Sequence, residues 1–174
     1  MPRALRGALL LFIVIAGGGA ASAESPSDAS AARIEQTAAL FILRVPLDPA
    51  DALTALVEAI KRRNYFVVSV NPLDQTLSRR AAGVGAAPLL YEEYKVVSFC
   101  NLTLADEAIR LNPLIGALMP CRAVVFRVRG ARETTIATFR PSFFSAHFEA
   151  GGMKRVVAQV EADILEILKG VAGE

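Results

Sequence analysis

The stretch from Tyr94 to Arg129 constrains the fold more than any other part of the chain. Tyr94–Cys100 is dominated by β-branched and aromatic residues and reads as a strand. Leu104–Leu111 reads as a short helix, stopped by Asn112-Pro113 because a residue before proline is pushed out of the helical region. Pro120 then admits a second strand, Arg122–Arg129. Both cysteines of the chain lie here, each beside a polar residue, as Cys100-Asn101 and Cys121-Arg122.

The flanking sequence adds units of the same kind. Leu40–Val45 reads as a strand. Asp48-Pro49 opens a helix, with Asp as N-cap and Pro at the first helical position. Leu53, Leu56, Val57 and Ile60 give that helix one apolar stripe. Lys61, Arg62 and Arg63 favour its C-terminal end, and Asn64 suits the left-handed position after it. Tyr65–Val70 follows as a strand, ended by Asn71-Pro72. Leu73–Arg80 is ambiguous, and Ala81–Pro88 is small and Gly-rich, as in a surface loop. Gly83 and Gly85 lack the strand–helix setting of a phosphate cradle. Thr134–Phe139 continues the sheet after a turn at Arg129–Arg132. Ser142–Gly152 is irregular and aromatic. A long helix from about Met153 to Lys169 closes the chain, with Val156, Val157, Val160, Ile164, Ile167 and Leu168 as its buried stripe.

This order, β-α-β, loop, β-α-β-β and a terminal helix, predicts an α+β fold with helices on one face of a largely antiparallel sheet. An α/β parallel sheet is the alternative. Its strands are normally continuous apolar runs, and these are short and mixed.

The series Phe99-Cys100-Asn101, Leu104-Ala105, Asn112-Pro113, Gly116 and Pro120-Cys121-Arg122 resembles the domain-of-unknown-function 302 family. The helix–strand unit Asp48–Val70 fits the same pattern, so the resemblance spans roughly Leu40 to Pro141. Family members more often carry Asn-Pro after the first cysteine, where this chain has Asn101-Leu102. The resemblance implies a small α/β domain of TATA-binding-protein-like arrangement, often a homodimer, and no established activity.

The amino-terminal segment reads as an export signal. Arg3 and Arg6 precede an apolar run, Ala8 to Ala16, of the length expected of a signal-peptide core, and Ala21-Ser22-Ala23 is a small-x-small cleavage site. The run is short against the ~20 residues of a membrane span. Residues 1–23 are thus expected to be removed, residues 24–37 to form a flexible polar lead-in, and residues 38–174 to form one domain, periplasmic or extracellular. The 19 Lys+Arg and 17 Asp+Glu of the whole chain become 17 against 17 once Arg3 and Arg6 are lost. A near-neutral domain has no electrostatic reason to bind nucleic acid. After cleavage no stable membrane span is expected.

The site candidates gather on the cysteines. Cys100, Asn101, Cys121 and Arg122 are expected to form one ligand site, with Arg122 as a fixed cation beside a thiolate or an anionic ligand. If Phe99 and Phe126 face the helices, alternation turns both cysteines the other way. A Cys100–Cys121 disulfide suits an exported protein and would close a loop of about twenty residues, worth ~3 kcal/mol in the chain-entropy picture. Two redox-active thiols are a second reading, without the Cys-x-x-Cys of a thioredoxin-type centre. A metal or haem site, with Met119 or His147 as added ligands, is a third; no Cys-x-x-Cys-His motif for covalent haem occurs. His147 is the only histidine, so no hydrolytic triad exists without it. Asn101-Leu102-Thr103 matches a glycosylation sequon, with helix capping by Thr103 the simpler role. Two functions follow: a ligand-binding or accessory module, or a thiol-dependent redox enzyme. Tyr94, Val96, Val125 and Tyr65 or Phe66 put more apolar surface on the face opposite the helices than solvent contact requires, which predicts a homodimer. Neither the ligand nor any cofactor is specified by the sequence.

Overall fold

The computed structural model describes residues 31–85, 87, 89–145, 148 and 151–174. The export signal, residues 1–23, and His147 lie outside them. Six strands form one sheet: β1 (Arg33–Gln36), β2 (Leu40–Val45), β3 (Phe66–Pro72), β4 (Tyr91–Cys100), β5 (Cys121–Val128) and β6 (Thr134–Phe139). Their order across the sheet is β1-β2-β6-β5-β4-β3. Every pairing is antiparallel, which sets aside the parallel alternative.

Five helices accompany the strands among the described residues: α1 (Pro49–Arg62), α2 (Leu73–Val84), α3 (Leu102–Leu111), α4 (Pro141–Ser145) and α5 (Met153–Ala172). α1 starts at the Asp48-Pro49 signal and ends where Asn64 takes a φ of 58°, as the sequence indicates. Asp48 makes no side-chain cap; its carboxylate accepts a hydrogen bond from Arg127 Nη1 at 2.6 Å. No described helix is long and apolar enough to cross a membrane.

One core forms where α1 and α5 cover one face of the sheet. Leu56 and Ile60 of α1 and Ile164, Ile167 and Leu168 of α5 meet Phe41 and Leu43 of β2, Ile136 of β6, Val125 of β5, and Val97 and Phe99 of β4. Period 3.6 in the helices and period 2 in the strands put these residues on facing surfaces. The apolar area they remove from water, at roughly 25 cal/mol per Å², is the main drive to this packing.

Two elements differ from the sequence reading. Arg33–Gln36, placed in the flexible lead-in, is strand β1, which pairs with β2 from Arg33↔Arg44 to Gln36↔Phe41. Its charged side chains hide it from an apolar-pattern reading, and they find partners: Arg33 pairs with Glu133, and Glu35 with Arg44. The expected loop over Ala81–Pro88 is in part helix, because α2 runs from Leu73 to Val84. Asp74 anchors its first turn, accepting from Gln75 N–H at 2.7 Å, Tyr94 N–H at 3.2 Å and Lys95 Nζ at 2.7 Å. Gly85 ends it with a φ of 64°, a left-handed position that glycine takes without strain. The glycines of this stretch are therefore helix and cap residues.

The face assignment of β5 is also reversed. Ala123 and Val125 are buried in the core, so Val124 and Phe126 turn to the opposite face. There Phe126 stacks on Tyr94, with ring centroids 5.5 Å apart. Val125 and Tyr65, expected on that outer face, belong to the core.

Candidate functional site

The cysteines come together at the end of the sheet where β4 finishes and β5 begins. In the β4–β5 ladder Phe99 is directly opposite Cys121, and directly opposite residues share a face. Phe99 is 1% exposed in the core. Cys121 therefore lies on the helix side, contrary to the expectation that both cysteines point away from it. Cys100, the last residue of β4, turns at the strand end into the same cavity.

That cavity has a volume of about 70 Å³. α3 contributes Leu104, Ala105 and Ala108, and α5 contributes Met153, Val156, Val157 and Val160. Met119 enters from the 3-10 stretch Pro113–Leu118 just before it. A second small core, built from Ala108, Ile115, Met153, Val156 and Val157, forms its wall. The α5 stripe read from the sequence thus has two uses. Ile164, Ile167 and Leu168 pack on the sheet, while Val156 and Val157 wall the cavity.

Asn101 has a local reason for its position. It is the N-cap of α3, and its side-chain oxygen accepts from Leu104 N–H at 3.1 Å. That role was expected of Thr103, before a helix from Leu104; the helix begins two residues earlier, at Leu102. Asn112 does the same for the next turn, accepting from Leu114 N–H at 3.0 Å. Asn-x-x and Asn-Pro spacings thus fix where the chain enters and leaves α3.

Arg122 does not join the site. It is exposed and one residue out of phase with Cys121, so alternation carries its guanidinium away from the thiols. Its backbone carbonyl instead accepts from Thr138 Oγ1 at 2.9 Å. Met119, by contrast, lines the cavity with both cysteines.

Cys100 and Cys121 are free thiols, which corrects the disulfide expectation. Burial, with Cys100 beside it, pushes the Cys121 thiol up to about 12. Burial also raises Cys100, whose Sγ donates weakly to the Asn101 carbonyl at 3.8 Å. Among the described residues no cation lines the cavity to reverse this. Nearby Tyr65 is raised too, by burial and then by Asp163, whose Oδ2 accepts from its hydroxyl at 3.1 Å. Neither residue was singled out from the sequence as a site neighbour; Tyr65 sits just before β3, and Asp163 is a helix residue far along the chain.

A wider depression, about 1170 Å³, lies alongside α5, shares Met153 and Val157 with the cavity, and includes Arg140 and Glu161. Two of its charges are closed on one another: Arg140 Nη2 donates to Glu161 Oε1 at 2.7 Å, and Glu161 Oε2 accepts from Ser142 N–H at 2.9 Å. Among the described residues no cluster of three His, Cys, Asp or Glu stands ready for a metal.

Comparison with known proteins agrees with the fold. The model of a family described as "Domain of unknown function DUF302" matches residues 41–171. No curated protein is detectably similar. A solved structure that is similar is the crystal structure of an uncharacterized conserved DUF302 protein from Bacillus stearothermophilus. It has a TM-score of 0.67 at 19% identity, over 76% of this chain and 97% of that one. At that identity the likeness concerns the fold alone.

Proposed function

The chain belongs to the DUF302 family, a domain of unknown function, and from that premise we propose that it is a ligand-binding accessory domain, not a thiol enzyme. The observation that carries the reading is the cavity at the sheet end, with hydrocarbon walls from α3 and α5 and both cysteines in its lining. Small apolar cavities take small apolar or polarisable guests. The redox alternative needs a thiolate nucleophile, and burial holds both thiols in the neutral form.

Xenon is a suitable first probe, since it enters apolar cavities without needing polar partners. In methyl NMR under xenon pressure, shifts are expected at Leu104, Ile115, Val156 and Val157. They should vanish in Ala105→Leu, which adds side-chain volume to the cavity wall. Shifts spread evenly over the protein, or unchanged by Ala105→Leu, would remove the cavity as the site.

We also infer that the domain is an exported homodimer. Export is supported by Arg3, Arg6, the Ala8 to Ala16 run and Ala21-Ser22-Ala23. Amino-terminal sequencing of the secreted product is expected to begin at Glu24; a retained Met1 would defeat it. Dimerisation is supported by Tyr94, Val96, Val124 and Phe126, half-buried on the sheet face opposite α1 and α5. Phe66, Val68 and Val70 add exposed apolar surface on edge strand β3. Light scattering at micromolar concentration is expected to give twice the chain mass, and a monomer throughout would sink the dimer.

A further inference from the structure

Four sulfur-bearing side chains line the cavity at the sheet end: Met153, which is 2% exposed and packed into the second small core, and Cys100, Cys121 and Met119, which are only half-buried. The oxygens around it are already engaged. Tyr65 Oη donates to Asp163 Oδ2 at 3.1 Å, Asn101 Oδ1 accepts from Leu104 N–H at 3.1 Å, and Ser145 Oγ donates to the Ser142 carbonyl at 3.4 Å. Among the described residues no Asp, Glu or His lines the cavity. The uncommitted donors are therefore all sulfur, set in a hydrocarbon wall.

Donor chemistry then selects the guest. Calcium, magnesium and manganese need several oxygen ligands, and a structural zinc site needs four cysteine or histidine ligands. Thiolate and thioether sulfur are the ligands of soft ions. A cavity of about 70 Å³ has room for a bare ion. We propose that Cys100, Cys121 and Met119 form a binding site for a soft monovalent metal ion of the Cu(I) and Ag(I) type. This rests on the cavity being the ligand site, as proposed above.

The electrostatics fit such a guest. Among the described residues no charged side chain lines the cavity, so a bound cation takes its compensating charge from a thiol. An S–H bond is exchanged for a sulfur–metal bond, the proton passes to water, and no oxidation state changes. One thiolate neutralises a monovalent ion outright, so no net charge is left in the apolar cavity. The second cysteine sulfur and the thioether complete the coordination.

The test uses the full chain, reduced and under anaerobic conditions. Ag(I) is the redox-inert probe, titrated against a competing chelator, and Cu(I) is then titrated against bicinchoninate. One ion per chain is expected, with ultraviolet thiolate-to-metal absorption. Affinity should fall on the order of 100-fold in Cys100→Ser and in Cys121→Ser, and about tenfold in Met119→Leu. Zn(II) and Mg(II) should not displace Ag(I). Affinity equal to wild type in either cysteine variant, or displacement by Zn(II), overturns the site. Should a cysteine variant fail to fold, the Met119 methyl resonance of the wild-type chain decides: it moves on adding Ag(I) if the thioether is a ligand, and an unmoved resonance overturns the proposal. Xenon entry without Ag(I) binding refutes the metal site and leaves the cavity reading; loss of both refutes both.

Discussion

Phe99→Ala is expected to lower the stability of the domain by about 3–5 kcal/mol, read as a lower urea midpoint at unchanged slope. Phe99 is 1% exposed and belongs to the core between the sheet and α1 and α5. There it packs edge-on against Tyr65, with ring centroids 6.0 Å apart, and lies directly opposite Cys121. β4 is an inner strand, so the backbone around the missing ring is pinned on both sides and collapses poorly. Most of the ring volume is then left as a void, and voids carry a cost beyond the lost transfer free energy. A loss below about 1.5 kcal/mol would mean that the cavity beside Cys121 relaxes to fill the space.

Asp74→Ala is expected to cost about 2–4 kcal/mol, more than its place at a helix start suggests. The carboxylate is 7% exposed and accepts from two backbone N–H groups and from Lys95 Nζ. Truncation leaves the partly buried Lys95 ammonium with Glu93 alone, at 3.3 Å. It also leaves the Tyr94 and Gln75 N–H groups unpaired.

The same site has a pH signature. Burial pushes the Asp74 carboxyl up, but the hydrogen bonds from Lys95, Gln75 and Tyr94 together outweigh it and hold it below its ordinary 3.8. A carboxyl depressed in the folded state binds its proton less readily than in the unfolded chain. Its stabilisation is complete above the unfolded value and is lost as pH falls through the folded one. Melting temperature is therefore expected to drop more steeply below about pH 4 in the wild type than in Asp74→Ala. Parallel acid limbs would show that Asp74 is not the group responsible.

The cysteine pair shows how far a sequence reading reaches. That Cys100 and Cys121 share one place follows from two strands joined by a helix, with a cysteine at each facing end. What they do there does not follow from it. The disulfide and the Arg122 cation were both expected from residue types and adjacency. Yet adjacency in a strand means opposite faces, so the neighbour of Cys121 is the residue least able to touch what Cys121 touches. Met119, which lines the cavity with both thiols, arrives from an irregular segment where no periodicity announces direction.

By itself the sequence determined the elements whose signals are local. β2 and β6 run over the residues their composition marks, and α1 starts at Asp48-Pro49 and stops before Asn64. The α5 stripe is buried nearly as read, because 3.6-residue spacing and caps depend only on near neighbours along the chain. Tertiary structure alone decided which face of β5 meets the helices. Val124 and Phe126 are as apolar as Ala123 and Val125, and only pairing with Val97 and Phe99 of β4 breaks that tie. It also decided that the polar segment Arg33–Gln36 becomes strand β1, because β2 offered a free edge. The cavity belongs to the same class: its walls come from α3, α5 and two strand ends, and such a space exists only once those distant segments have packed.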